Sequence, residues 1–265
     1  MKRILLCFVV IMMFMKVAFG AGVSIDGKMF DGGKLIDSVT YVPIRTFSEA
    51  FGEYDISWDG EKSVAGVDGE GKSIRARIGD GYIECNGRYV YSGNNNIIIE
   101  GKTYIPIRSI AKVLDASVIW NNSTRTAEVA TGGESFKSAD EVYNANDLYW
   151  LAKIINAESE GEPLEGKIAV GNVVLNRVEN EAFPDSVYEV IFDKAGGVQF
   201  TPVANGSINK YPNEDSFIAA KICLENYKLS NKNILFFLNP VISTSTWIPN
   251  NRDYVMTIGK HDFYA

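Results

Sequence analysis

The stretch Asp147–Val178, DLYWLAKIINAESEGEPLEGKIAVGNVVLNRV, decides how the second half of the chain is read. Leu148, Leu151, Ile154 and Ile155 recur at three- and four-residue steps, which predicts a helix with one buried face. Glu158 follows Ile154 by four residues and Ile155 by three, so the helical period places it on that apolar face. Glu160 is rotated to the opposite side, and Glu162 falls between Gly161 and Pro163, where the helix is expected to have ended. A carboxyl against hydrocarbon is costly to ionise, so its pKa should rise. Such a group can act as a general acid near neutral pH. The alternative reading is a structural glutamate at the edge of the core, bonded to nearby backbone.

After Pro163 the sequence predicts a second helix, buried through Ala169, Val170, Val173, Val174 and Val178. Asn172 and Asn176 share a face of it and need partners if buried, with loop backbone the expected one. Glu162 is expected to accept from a backbone N–H of this helix. Beyond it come a short helix capped by Ser186, a loop or strand through Gly196–Phe200, and a helix over 216–226. An apolar strand, Ile234–Leu238, and a last strand over Thr257–Tyr264 complete the half.

The chain has 265 residues, 46% hydrophobic and 22% charged, which suits two globular domains. A formal net charge of -7 argues against nucleic acid as a partner, because phosphate binding relies on clustered Lys and Arg. With one histidine, His261, and no CxxC pair, zinc hydrolysis and Ser-His catalysis are disfavoured, and no metal or cofactor is expected. Cys85 and Cys223 are expected to be buried free thiols. The first 20 residues read as a signal peptide: Lys2 and Arg3, an apolar run over 4–15, and small residues at Ala18 and Gly20. No later segment is apolar enough to span a membrane, so the mature protein is expected to be exported.

Residues 23–130 contain an internal repeat: Thr40-Tyr41-Val42-Pro43-Ile44-Arg45 through Trp58, and Thr103-Tyr104-Ile105-Pro106-Ile107-Arg108 through Trp120. Each copy predicts a strand, a short helix after proline and a strand ending at tryptophan. Trp58 and Trp120 are read as core residues, with stacking on sugars as the alternative. This half resembles the copper amine oxidase N-terminal-like domain, and having no histidine it is not read as a copper site. It is taken as a wall-associating or spacing module.

The second half resembles the SleB/CwlJ-type cell wall hydrolase family. The resemblance rests on Ala157-Glu158-x-x-Gly161-Glu162-Pro163, Gly166-Lys167-x-Ala169-Val170 and Val173–Val178, followed in order by Phe183-Pro184, Gln199-Phe200, Asn239-Pro240 and Ile258-Gly259-x-His261-x-Phe263-Tyr264. It implies an enzyme that cuts the glycan backbone of peptidoglycan, with Glu158 as the catalytic acid, possessing a lysozyme-like domain of helices beside a small sheet. Gln199, Phe200, Tyr211, Trp247, His261 and Tyr264 are the candidate substrate-binding residues, each with a packing role as its alternative. Simple hydrolysis would need a second carboxylate, for which Asp193, Asp215 and Asp253 are candidates. The rival reading is a wall- or coat-binding protein without activity.

The expected fold class is therefore α+β in two domains. The expected layout is a signal peptide over 1–20, the repeat-containing module over 21–131, a linker over 132–146 and the hydrolase domain over 147–265.

Overall fold

The computed structural model describes residues 19, 20, 22–195, 197–244 and 246–265. All but the last two residues of the expected signal peptide lie outside the described residues. The chain is mixed α+β with several sheets. No described helix is long and apolar enough to cross a membrane.

In the first half, Val39–Pro43 and Lys102–Pro106 pair antiparallel at the centre of a five-stranded sheet. Their register sets Tyr41 against Pro106 and Pro43 against Tyr104, so the two similar segments meet head to tail. Each strand runs through its proline straight into a short helix, Ile44–Glu49 or Ile107–Val113. Proline suits that junction because the first helical turn needs no N–H from it. A second sheet is an antiparallel meander from Asp55–Asp59 to Arg88–Tyr91. A third joins Thr126–Ala130 in parallel to Gly22–Ile25. Their inner faces bury Val23, Phe47, Val67, Ile74, Ile83, Ile105 and Ile110 in one core. Trp58, expected in that core, is instead 49% exposed, and Trp120 only packs against its edge. Trp58 shares its strand face with Ile56 and Trp120 with Val118, both packed on the core, so each ring continues that inner face past the edge of the core.

The connecting segment over 132–146 is anchored at several points. Phe136 is buried, its N–H donates to Asp115, and Ser138 and Glu141 form a capping box on the Ala139–Val142 helix. Glu225, buried in the second half, accepts from Arg88 Nε at 2.6 Å, from Tyr143 at 2.6 Å and from Lys112 at 3.1 Å. Lys221 donates to the Gly87 carbonyl and Tyr91 to Glu165, so the halves are joined by buried polar contacts.

The second half packs three helices, Ala145–Ser159, Leu164–Val178 and Glu214–Leu224, around Leu151, Ile155, Ile168, Val173, Ala219 and Ile222. A sheet of Phe236–Leu238, His261–Tyr264 and Tyr254–Ile258 lies beside them. The single last strand expected over 257–264 is instead the end of one strand and the whole of the next, divided by a turn at Gly259, whose φ of 57 breaks the extended run. Asn172 bonds Tyr227 and Leu229, and Asn176 bonds the Ile234 carbonyl, so both hold loop backbone as expected. Cys85 and Cys223 are buried and free.

Candidate active site

Asn144 caps the Ala145–Ser159 helix by accepting from the N–H groups of Asn146 and Asp147. Leu151, Ile154 and Ile155 are fully buried along it, and Glu158 continues their stripe at the helix end. The stripe leaves the protein core there and meets a cleft of about 730 Å³. Glu158 is the only carboxylate among the described residues lining it. Burial pushes its pKa up to about 7, and Arg177 opposes that shift. No described residue hydrogen-bonds the carboxyl, so the structural reading, a glutamate tied to nearby backbone, does not hold.

The turn after Glu158 is held from below. Lys167 is 2% exposed, and its ammonium donates to the carbonyls of Ser159, Glu160 and Glu162 at 2.9, 2.8 and 2.7 Å. Ser159 O also accepts from Glu162 N at 3.0 Å, so the ammonium adds a second bond there and supplies the partner that the Glu160 and Glu162 carbonyls would otherwise lack. Burial lowers the Lys167 pKa. Glu162 accepts from Lys260 N at 2.9 Å, in the turn before His261, rather than from the following helix as expected. Gly259 in that turn has φ 57, and a Cβ there would collide with the Glu162 carboxylate. Glu162 therefore links the turn after Glu158 to the strand that carries His261.

Arg177 forms another wall. It is 5% exposed, donates to the Leu235 carbonyl at 2.8 Å, and lies over the rings of Phe183, Phe200 and Phe236. Burial pushes its pKa down to about 10, against the pull of Asp193 and Glu158. Arg177 lies within the Val173–Val178 motif and is not among the residues expected at the site. Its signal was an arginine on the apolar side of that helix, which requires a buried partner.

Of the six candidate binding residues, the fold brings Gln199, Phe200, Trp247 and His261 to the cleft with Glu158. Gln199 donates to Ala195 O and Gly197 O and faces Arg177 across 3.5 Å, which braces the loop. Phe200 is 2% exposed and serves as floor. Trp247 is half-exposed at the mouth beside Phe236 and Arg252. His261 is buried edge-on to Phe237, its Nδ1 has no partner among the described residues, and burial lowers its pKa.

Tyr211 and Tyr264 do not reach the cleft. Tyr211 precedes the buried Pro212, which turns the chain so that the tyrosine points to solvent beside Phe217. Tyr264 lies three residues after His261 on one strand, hence on the opposite face, where it packs on Tyr254. Asp193, Asp215 and Asp253 do not line the cleft either. Phe236, Asn239 and Thr244 do, on segments whose approach to Glu158 no local pattern encodes.

Residues 161–264 match the family model described as Cell Wall Hydrolase, beginning three residues after Glu158, and residues 28–129 match the Copper amine oxidase N-terminal domain. Both resemblances read from the motifs are thus borne out, each over its own half. Among curated proteins, the chain is similar to the spore cortex-lytic enzyme of Oceanobacillus iheyensis, 38% identical over 50% of this chain and 46% of that one. It is likewise 38% identical to the spore cortex-lytic enzyme of Bacillus subtilis, over 46% of this chain and 38% of that protein. The match spans less than half the length of these relatives. Among solved structures, the catalytic domain of the germination-specific lytic transglycosylase SleB from Bacillus anthracis is 38% identical, with 46% of this chain and 97% of that one covered and a TM-score of 0.42.

Proposed function

We propose that the chain is an exported enzyme that cleaves the glycan strands of peptidoglycan as a lytic transglycosylase, with spore cortex as its substrate during germination. The observation that carries this is Glu158: a carboxyl that no described residue hydrogen-bonds, with its pKa raised to about 7 by burial, alone among the described acids in a cleft wide enough for sugars. The 38% identity to spore cortex-lytic enzymes supports the choice of polymer.

In this reading Glu158 gives its proton to the oxygen between N-acetylmuramic acid and N-acetylglucosamine, and the bond from the muramoyl C1 to that oxygen breaks. The muramoyl 6-hydroxyl oxygen bonds to C1, and its proton passes to Glu158. The acid is thereby restored, no water is consumed, and a 1,6-anhydro sugar results. One carboxyl suffices because the nucleophile belongs to the substrate, where intramolecular attack has a high effective concentration. Hydrolysis would call for a second carboxylate placed for water or covalent attack. Arg177 steadies the Glu158 carboxylate between the two transfers. Gln199, Phe200, Trp247 and His261 form the sugar-binding walls, with Trp247 offering a ring face.

The wider layout belongs to the same proposal: a signal peptide over 1–20, a wall-associating module over 21–131, a connecting segment over 132–146 and a lysozyme-like catalytic domain over 147–265, acting at the cell wall or spore cortex. The test is to incubate the protein with vegetative and spore-cortex sacculi and identify the released products by mass spectrometry. Anhydro-muropeptides are expected. Products with reducing muramic acid ends would replace the transglycosylase with a hydrolase, and an absence of soluble products would leave only a binding protein.

A further inference from the structure

Two clefts in the first half, both remote in sequence from Glu158, are built from matching residues. One, of about 310 Å³, is lined by Pro43, Ile44, Arg45, Trp58 and Ala65, and closed by the turn over 101–103. The other, of about 530 Å³, is lined by Pro106, Ile107, Arg108, Trp120 and Ala127, and closed by the turn over 38–40. Pro, Ile, Arg, Trp and Ala correspond between the two, whereas the larger cleft is extended by Tyr91, Asn94 and Tyr227, which have no counterpart in the smaller. Each closing turn precedes the partner segment's central strand, because the two strands pair head to tail and exchange ends.

Their charge is unlike that of the chain around them. The protein carries 33 acidic and 26 basic residues, yet among the described residues no acid lines either cleft. Each instead holds two cations, Arg45 with Lys102 and Arg108 with Lys112. Lys112 is shared with Glu225 at 3.1 Å, and Arg108 donates to the Val118 carbonyl at 2.8 Å. Arg45 is exposed and makes no hydrogen bond or ion pair with a described residue. Beside each arginine stands an indole with accessible surface. Trp58 is 49% exposed, and Trp120 is held by its N–H bond to Asn122 at 2.9 Å.

A tryptophan face next to a guanidinium, walled by aliphatic side chains and free of acids, suits a sugar ring that carries a carboxylate. The apolar face of the pyranose stacks on the indole, and the carboxylate takes a charge-assisted hydrogen bond from the arginine. We infer that the two clefts are a duplicated binding site for N-acetylmuramic acid residues bearing a free lactyl carboxylate, which holds the enzyme on stretches of glycan already stripped of stem peptides while the Glu158 cleft cuts. This rests on peptidoglycan being the polymer the chain acts on. Two related sites on one chain give an attachment that survives release of either one.

The test is co-sedimentation of the full chain carrying Glu158→Gln, so that the polymer stays intact, with three insoluble glycans. These are native sacculi, sacculi stripped of stem peptides by an amidase so that lactyl carboxylates are freed, and chitin, which has none. Retention is expected to be strongest on the stripped sacculi and weakest on chitin. Arg45→Ala and Arg108→Ala should each weaken retention roughly tenfold, the worth of one charged hydrogen bond, and together roughly a hundredfold. Trp58→Ala should act like Arg45→Ala. Thermal melts confirm that each variant folds. In the background with Glu158 intact, the same substitutions should leave cleavage of short soluble glycan fragments unchanged.

Equal retention on chitin, loss of binding after amidase treatment, or full retention of the double arginine variant would each overturn the inference. A failure of wild-type protein to cleave any glycan would instead strike the proposed function, and sedimentation reads the two apart.

Discussion

Lys167 Nζ lies 2.9 Å from the carbonyl oxygen of Ser159, the residue after Glu158. With its further bonds to Glu160 O and Glu162 O, this one ammonium closes the helix end that presents the candidate acid. Lys167→Met keeps the bulk and removes the donors, so the Glu160 and Glu162 carbonyls lose their partners while Ser159 O keeps Glu162 N. A loss of about 2 kcal/mol is expected, at roughly 1 kcal/mol or more per unmet group, and glycan cleavage should fall as Glu158 loses its fixed position. Chemical denaturation and product release measure the two effects. An unchanged stability would mean that the lysine does not bear on the turn.

Glu158→Gln removes the proton donor with little change of shape. Cleavage should fall by roughly 10²–10⁴-fold, the usual worth of general acid–base catalysis, with the fold intact by circular dichroism. Near-full activity would end the assignment.

The raised pKa of Glu158 also predicts a stability difference. Its carboxyl titrates at about 7 in the fold against 4.5 as the ordinary value. The folded state thus binds the proton more tightly, and wild type loses stability as pH rises from 4.5 through 7. Glu158→Gln lacks this titration, so its advantage over wild type should appear across that window and level off above it, at most about 3 kcal/mol. Over the same range activity should decline above pH 7 as the acid form disappears. Parallel stability curves for the two proteins would show that Glu158 is solvated.

Arg177 draws the Glu158 pKa downward against burial. Arg177→Met should move the alkaline limb of the pH–rate profile to higher pH and lower the maximum, because the carboxylate between the two proton transfers loses its counter-charge. A profile displaced to lower pH would contradict the arrangement.

Glu225 ties Arg88, Lys112 and Tyr143 together between the halves. Burial opposes its ionisation, but the bonds from Arg88 and Tyr143 win and hold its pKa below the usual glutamate value. The stability it contributes is present above about pH 4.5 and is lost as pH falls through its depressed folded value. Glu225→Gln should therefore destabilise the protein at neutral pH and less so in acid, as followed by thermal melts. A pH-independent difference would mean that the carboxylate's charge is not what joins the halves.

The sequence by itself determined which residues share a helix face and which segments resemble each other. Glu158 was legible because a period of 3.6 residues is local, and Ile154 and Ile155 already point where it must point. The paired Asn172 and Asn176 were legible for the same reason, and the arginine–tryptophan segments because they recur. Only the tertiary structure decided what stands opposite these faces. His261 enters the cleft and Tyr264 does not because the sheet packs one of its two faces there, and a strand pattern fits either choice. Arg177, Trp247 and Phe236 meet Glu158 across loops whose path depends on the packing of distant helices. Glu162 finds Lys260 almost a hundred residues away for that reason too. Periodicity describes one element at a time, whereas a site is made where several elements stop against one another.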